Sequence, residues 1–297
     1  MYKDERKNQV FLYIIFIIIC IASLLPFFLL VITSFSDEET VIRQGYSFIP
    51  KKFSLRAYQY LYKELNRIIR SYCISIITTA TGTSLGLFVL SLTAYPLSRT
   101  ELPGRKYLSF YILFTLLFNS GLVPTYLIYT NIFHLKNTIW GLIIPWLFLN
   151  GFNVLIARTF FQSQIPSSLI EAAVIDGAGE FAIYLKIILP LSVPVLSTMG
   201  LIYLISYWND WYNGLIFITN PQYYSLQNLL NRILLNVQFL QANPNVPQAA
   251  AESLVNNIPL QTVRMALAAL GAMPLLLIYP FFQNYLVKGL TVGALKG

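Results

Sequence analysis

Charged residues are scarce in this chain of 297 amino acids, and their scarcity indicates the class of protein. Only 11% of the residues are charged, whereas 56% are hydrophobic. A typical soluble domain carries roughly 25% charged residues. The composition therefore argues against a soluble globular protein.

Cysteine and histidine are nearly absent as well. The two cysteines, Cys20 and Cys73, both lie in apolar tracts, so neither a disulfide framework nor a thiolate metal site is expected. His134 is the only histidine, which excludes a metal cluster built from histidines. The glycine-rich phosphate loop that ends in Lys and Ser or Thr is also missing. We therefore expect no ATP hydrolysis by this chain, no resident cofactor and no enzymatic activity.

Six long tracts without a charged residue dominate the sequence. A bilayer core about 30 Å thick is crossed by about 20 apolar residues in a helix. The sequence therefore predicts an all-α, polytopic membrane protein with six transmembrane helices. The tracts are residues 10–32, 71–98, 107–135, 137–157, 187–209 and 265–287.

The first tract follows three basic residues, as a signal peptide does. It is longer than the hydrophobic region of about 7–15 residues in a cleaved signal, and no small-residue cleavage site follows it. We therefore expect an uncleaved first span. The basic residues are Lys3, Arg6 and Lys7.

Three regions follow from this pattern. Residues 1–70 hold the N-terminal tail, the first span and an external segment with apolar residues at helical spacing. That segment lies on the membrane surface or packs against neighbouring spans. Residues 71–288 form a five-helix core with a polar loop at 163–190 and an external polar segment at 219–263. Residues 289–297 form a tail.

The loop at 163–190 reads as two short helices joined by a turn. Pro166 suits the first turn of a helix, and Ser167 and Ser168 suit its capping. Gly177 and Gly179 suit its end, because glycine accepts left-handed backbone geometry. The first helix is therefore expected to end near residue 177.

A second helix is expected from residue 180 to residue 188, stopped by Pro190. The small side chains of Ala172 and Ala173 allow another surface to approach the first helix closely. The pattern predicts a docking element between two spans, without naming its partner.

A break interrupts the third apolar tract at residues 119–124, where glycine and proline occur together. Such residues free backbone groups, which a span tolerates only beside protein or a water-filled cavity. The break indicates either proximity to a transport pathway or a kink that serves packing.

The loop resembles the EAA loop of ABC importer permeases, in which Glu-Ala-Ala, Gly and Ile-x-Leu-Pro recur at fixed spacing. Every position of that pattern is matched, and the aspartate that usually precedes the glycine is present. The matching residues are Glu171, Ala172, Ala173, Asp176, Gly177, Ile187, Leu189 and Pro190. The resemblance implies that seven residues couple the chain to an ATPase on the cytoplasmic side: Glu171, Ala172, Ala173, Asp176, Gly177, Lys186 and Pro190.

Three further stretches resemble the sugar permeases, in particular the oligosaccharide permeases of Gram-positive bacteria, and the last of the three resembles the tail of the maltose-type second permease. They are residues 119–126, 208–211 and 286–297. The resemblance implies the type I ABC importer permease fold in a bacterial plasma membrane, with both termini cytoplasmic. It also implies that Gly293, Lys296 and Gly297 lie at the ATPase interface.

The same resemblance implies the partners. They are a second, non-identical permease, two ATPase subunits that bind ATP and Mg²⁺, and an extracytoplasmic binding protein that delivers a sugar or oligosaccharide. No nucleic acid is expected. The basic residues divide evenly between the two sides of the membrane, so the positive-inside rule does not fix the orientation, which depends on the resemblance.

Polar and aromatic residues near the span ends are candidates for the substrate pathway. They are Asn119, Tyr126, Asn150, Asn153, Trp208, Asn209, Asp210 and Trp211. Two alternatives stay open for them. Tryptophan and tyrosine also form interfacial belts that bind nothing, and Asp210 is equally suited to pair with Arg232 or Arg264. In maltose-type relatives the other permease holds most substrate contacts.

Other functions stay open at this point. An ABC permease for a solute other than sugar is the first, and a secondary transporter is the second. The apolar tracts lack the mid-depth carboxylates of a proton relay, which disfavours the second. A membrane enzyme lacks a nucleophile–base pair. The basic excess outside favours an anionic oligosaccharide, contacts with lipid headgroups, or contacts with the binding protein.

Overall fold

The computed structural model describes residues 2–118, 120–147, 150–242 and 259–294. Within these ranges the chain is helical, apart from loops and one isolated antiparallel bridge between Ser36 and Phe53. The all-α prediction is confirmed. The helices are α1 (Tyr2–Ser34), α2 (Glu38–Gln44), α3 (Arg56–Lys63), α4 (Leu65–Ser98), α5 (Arg105–Leu117), α6 (Leu122–Leu127), α7 (Trp140–Leu147), α8 (Gly151–Gln164), α9 (Ser167–Ile175), α10 (Glu180–Ile183), α11 (Leu189–Leu191), α12 (Val193–Trp208), α13 (Tyr212–Phe217), α14 (Leu226–Ala242) and α15 (Leu260–Ala294).

Three of the described helical stretches are long and apolar enough to cross a membrane: Gln9–Ser34, Leu65–Ser98 and Leu260–Ile278. Two bent helix pairs, α5 with the helical stretch to Ile132 and Glu180–Leu191 with α12, raise the number of candidate spans to five if each pair is one span. The fourth predicted tract, residues 137–157, is divided between α7 and α8. The structure therefore supports three to five spans, and the sixth is not among them.

The first span has an apolar surface that the described residues of the chain leave uncovered. Side chains from Val10 to Phe28 are mostly exposed and hydrophobic, and none of the window from which the span is recognised is buried. Apolar surface of this extent is unfavourable in water and neutral in lipid. The helix is therefore built for contact with a bilayer or with another membrane protein.

The chain forms two compact units. One comprises Met1–Ile69 and Leu230–Pro274, and the other comprises Arg70–Leu229 and Leu275–Gly297. The second unit contains the main cluster of buried residues, which α4, α8, α12 and the 163–190 loop supply. This cluster fixes the loop that carries the resemblance.

Close helix packing in the second unit depends on glycine. Gly82 of α4 lies directly against the ring of Tyr207 of α12, so that a Cβ atom there would overlap the ring carbons. The Tyr207 hydroxyl donates a hydrogen bond to the carbonyl oxygen of Ile143, 3.0 Å away. The ring is therefore held in place on both sides.

In the first unit, an acidic side chain caps the start of the last helix. The Glu38 carboxylate accepts hydrogen bonds from the backbone N–H groups of Gln261 (2.8 Å) and Thr262 (2.9 Å). Its Oε2 atom also accepts from the Thr262 hydroxyl at 2.8 Å. The first N–H groups of a helix have no partner within the helix, and a negative charge there is favourable. We call this contact the Glu38 clamp.

Removal of the Glu38 clamp is expected to destabilise the protein. Glu38→Ala leaves the N–H groups of Gln261 and Thr262 without their acceptor, and loss of a charge-assisted bond costs roughly 1.5–3 kcal/mol. Denaturant unfolding in detergent should show this loss. Glu39→Ala is the matched control, because Glu39 is the exposed neighbour on the same helix. Equal stability of the two variants would contradict the prediction.

Candidate functional site

The first helix of the loop, α9, begins at Ser167, with Pro166 as the residue that precedes it. The carbonyl oxygen of Pro166 accepts a hydrogen bond from the N–H of Leu169 at 3.2 Å. The prediction that Ser167 and Ser168 cap this helix is wrong, because no side chain makes a capping bond. Both serines lie inside the first turn, whereas a capping side chain must precede it.

The end of α9 is set by Gly177, as predicted. Gly177 has φ +79°, the left-handed conformation that glycine adopts without strain. The N–H of Ala178 donates to the carbonyl of Ala173 (2.9 Å), and the N–H of Gly177 donates to that of Val174 (3.0 Å). These two bonds are those of a Schellman motif. The left-handed role predicted for Gly179 is wrong, since its φ is −71° and it precedes α10.

The second helical stretch runs past Pro190. It starts at Glu180, passes through a π-helical turn at Tyr184–Ile188 and ends at Leu191, so the predicted stop at Pro190 is wrong. In the π turn the N–H of Leu189 bonds to the carbonyl of Tyr184, five residues back. The wider turn precedes a proline that has no N–H to donate. The direction changes after Leu191, where the stretch meets α12 at 77°.

Six of the seven predicted coupling residues are exposed, and the seventh is partly buried. Ala173 packs against the core as the C-terminal contact of α9. The exposed six are Glu171, Ala172, Asp176, Gly177, Lys186 and Pro190.

Apolar side chains are exposed beside these residues. Leu169, Val174 and Ile175 on α9 are 46%, 51% and 85% exposed, whereas Ile170 is buried and anchors the helix. An exposed apolar face of this kind marks an interaction site.

Two hydrogen bonds that sequence reasoning did not predict tie the loop to α4. The Tyr95 hydroxyl donates to Oε2 of Glu180 at 2.6 Å, and the hydroxyls of Ser91 and Tyr184 lie 2.7 Å apart. Neither pair belongs to the EAA pattern. Each joins residues more than eighty positions apart, so no local periodicity indicates it.

The break in the third apolar tract is confirmed, since α5 ends at Leu117 and α6 begins at Leu122. Gly121 has φ +82° and precedes α6. Asn119, a predicted pathway residue, lies outside the described residues.

A cavity of about 400 Å³ opens beside this break. Its lining combines aromatic rings with hydroxyl and amide groups, which is the combination that sugars and other polar organic ligands require. The lining residues are Gly121, Leu122, Thr125, Pro145, Tyr212, Asn213, Ile216 and Phe217. Tyr126 does not line the cavity but stacks on Phe217, with ring centroids 6.0 Å apart.

The predicted motif at residues 208–211 lies next to this cavity rather than in its wall. Trp208 is buried, with its ring 6.2 Å from that of Tyr72. Asn209 is exposed, and Trp211 makes an edge contact with Tyr212, which does line the cavity. Two of the polar residues of the wall, Tyr212 and Asn213, therefore directly follow the motif in sequence.

Asp210 positions one of these wall residues. Its carboxylate accepts hydrogen bonds from the backbone N–H of Asn213 (3.1 Å) and from Nδ2 of the same residue (2.8 Å). Burial raises the pKa of the Asp210 carboxyl, and the bonds from Asn213 oppose that rise. The Asn213 side chain is thereby fixed at the cavity.

Two further predicted pathway residues, Asn150 and Asn153, make contacts that stabilise the helices. The Asn150 side-chain oxygen caps α8 by accepting from the N–H groups of Phe152 (3.0 Å) and Asn153 (3.3 Å). Asn153 is buried and interacts with the Tyr203 hydroxyl.

Of the predicted tail residues, Gly293 lies in the last turn of α15. Lys296 and Gly297 lie outside the described residues.

Metal-binding groups are not clustered in this part of the chain. Among the described residues, no three His, Cys, Asp or Glu side chains lie close enough together to hold a metal ion.

Known proteins resemble this chain over almost its full length. It is 36% identical to the polygalacturonan/rhamnogalacturonan transport system permease protein YtcP of Bacillus subtilis, over 96% of this chain and 95% of YtcP. It is 28% identical to the trehalose/maltose transport system permease protein MalG of Thermococcus litoralis, over 99% of both chains. In three dimensions it resembles a chain of a bacterial ABC transporter involved in import of the acidic polysaccharide alginate. The TM-score is 0.78 and the identity 28%, over 95% of this chain and 97% of the other.

The match to a described family covers residues 1–292. That range includes the loop at 163–190, the break at 119–124 and the cavity beside it. The chain belongs to the family of inner membrane components of binding-protein-dependent transport systems.

Proposed function

We propose that this chain is one of two permease subunits of an ATP-driven ABC importer that carries an oligosaccharide across a bacterial plasma membrane. The observation that supports this most strongly is the loop at 163–190. It matches the EAA pattern throughout and exposes an apolar helix face that the described part of the chain leaves uncovered. Such a face suits insertion into a cleft of an ATPase.

The proposal includes a topology of six spans with both termini in the cytoplasm. The described helices supply up to five, and we propose that α7 and α8 together supply the sixth. With four spans before the loop and two after it, a cytoplasmic loop puts both chain ends on the cytoplasmic side. The tail, with Gly293, Lys296 and Gly297, then lies on the side of the ATPase.

The break at 119–124, the cavity and the 208–213 turn form the proposed contribution to the substrate pathway. Tyr212 offers a ring face to a passing sugar, and Asn213, which is 1% exposed, supports the wall beside it. Asp210 and Tyr126 act behind them, by holding Asn213 and Phe217. The other permease and the binding protein supply the remaining contacts.

An acidic oligosaccharide is the proposed substrate class. Polygalacturonan and alginate are both polymers of uronic acids, and two of the similar proteins are named for their transport. The basic excess of the segments proposed to lie outside is compatible with an anionic ligand. MalG, named for neutral sugars, is less similar in sequence.

Uptake by the complete complex in proteoliposomes tests this function. The probe is a labelled oligogalacturonide delivered by the binding protein, with labelled maltotriose as the neutral control. We expect uptake of the oligogalacturonide only when ATP and Mg²⁺ reach the ATPase, and no change when an ionophore collapses the proton gradient. Uptake driven by that gradient without ATP would instead identify a secondary transporter. ATP-driven uptake of maltotriose alone would refute the acidic substrate.

A further inference from the structure

Two hydrogen bonds connect α4 to the second helical stretch of the loop, and on each of these two helices the bonded residues are one helical turn apart. Ser91 and Tyr95 are four residues apart on α4, and Glu180 and Tyr184 are four residues apart on the loop. The Tyr95 hydroxyl bonds to Glu180 at 2.6 Å, and the hydroxyls of Ser91 and Tyr184 lie 2.7 Å apart. Residues at this spacing lie on one face of a helix. The two helices are therefore joined at two successive levels.

One level of the junction is closed to solvent and the other is partly open. Ser91 and Tyr184 are 2% exposed and Tyr95 is 5% exposed, whereas the Glu180 side chain is 65% exposed. The rings of Tyr95 and Tyr184 lie against each other with centroids 5.7 Å apart. The buried bond between Ser91 and Tyr184 is stronger than it would be in water, and loss of either partner is costly. The junction therefore resists separation of the two helices.

The ion pair beside the junction adds little. Arg99 lies 3.9 Å from Oε1 of Glu180, whose side chain is 65% exposed. Exposed pairs of this length are screened and contribute little. The bond from Tyr95 is thus the interaction through which Glu180 holds α4.

Two of the routes that connect the second helical stretch of the loop with the rest of the unit lead to α12 and to α4. One is covalent and leads into α12 through the 77° bend that follows Leu191. The other is the junction with α4. A bend absorbs part of a displacement, whereas a closely packed, hydrogen-bonded contact transmits it.

We propose that Glu180 and Tyr95 are positioning residues that pass displacement of the loop to α4, so that α4 moves with the loop when the ATPases close. This proposal rests on the proposed function, because it requires an ATPase that displaces the loop. It assigns to Glu180 a role separate from docking, which the exposed face of α9 performs.

Tyr95→Phe is the first test. The change removes only the hydroxyl, so the ring contact with Tyr184 remains. In the reconstituted complex we expect the ATPases to co-purify in normal amount and the binding protein to stimulate ATP hydrolysis. Oligosaccharide uptake per ATP hydrolysed should fall roughly tenfold, a typical size for a coupling between two sites. Tyr107→Phe is the matched control, since the Tyr107 side chain is 83% exposed.

Glu180 variants provide the second test. Glu180→Ala should lower uptake per ATP as Tyr95→Phe does, and the double variant should be no worse than either single one, because both remove the same bond. Glu180→Gln should keep most of the coupling, since the amide oxygen still accepts from Tyr95.

Three outcomes would overturn the proposal: normal uptake per ATP in Tyr95→Phe and Glu180→Ala, additive effects in the double variant, or loss of the ATPases from the purified complex. The last would make Glu180 a docking residue. Failure of the proposed function looks different, because then the wild-type complex itself shows no ATP-driven uptake.

Discussion

Gly177→Leu is expected to abolish most transport while leaving the protein in the membrane. The backbone at Gly177 is left-handed, with φ +79°, and a side chain there costs roughly 1–2 kcal/mol. Apart from Gly177 and its two neighbours, no atom of the described residues lies within 4 Å of the position of the new Cβ, so this part of the chain has room for a side chain there. The side chain would project from the loop toward the proposed ATPase and weaken the turn that ends α9. We therefore expect uptake to fall by roughly tenfold or more.

Two control variants separate the contributions. Gly179→Leu places the same side chain two residues further on, where φ is −71° and no strain arises. Gly104→Leu imposes the same kind of strain, at φ +76°, in a different loop. Uptake assays and immunoblots of membranes should show Gly177→Leu as the most defective of the three at equal abundance. Unchanged uptake in Gly177→Leu would count against the docking role of the loop.

Gly82→Ala is expected to have the largest effect on stability. The new methyl group would overlap the ring of Tyr207, which is buried and bonded through its hydroxyl to Ile143. The Tyr207 ring, or one of the two helices, must therefore shift to admit the methyl group. Overpacking of a tight core costs about 1–3 kcal/mol, and we expect the upper end of that range in thermal unfolding in detergent.

Gly86→Ala is the matched control for this prediction. Gly86 lies one turn further along α4, where a Cβ atom would be 3.6 Å from the ring of Tyr203, an ordinary contact. Alanine is favoured over glycine in a helix interior by about 1 kcal/mol. Gly86→Ala should thus be neutral or stabilising. Equal unfolding temperatures of the two variants would refute the close-packing argument.

The helical class and several local features were predictable because they depend on short stretches of sequence. Apolar tracts that are long enough to cross a bilayer as helices indicate spans. Gly177 is a glycine, the residue type favoured where a helix ends in a residue with left-handed backbone conformation. Ser167 and Pro190 were misread for a local reason as well. Because α9 starts at Ser167, this serine lies inside the helix and cannot cap it. Because a π turn precedes Pro190, the helical stretch continues to Leu191.

Contacts between distant residues were not predictable. The pairing of Tyr95 with Glu180 depends on how α4 meets the loop, and no repeat in the sequence encodes that meeting. The same holds at the cavity, which lies next to the motif at 208–211. The turn after Trp208 decides that Tyr212 and Asn213, rather than Asn209, form the wall.

The Glu38 clamp can form only after most of the chain between its two partners has been synthesised. The N–H groups that Glu38 binds belong to Gln261 and Thr262, which are made 223 and 224 residues later. Until then the carboxylate lacks these partners. The first compact unit is therefore completed only after the start of α15 has been made. A chain truncated before α15 would leave this unit without the Glu38 clamp.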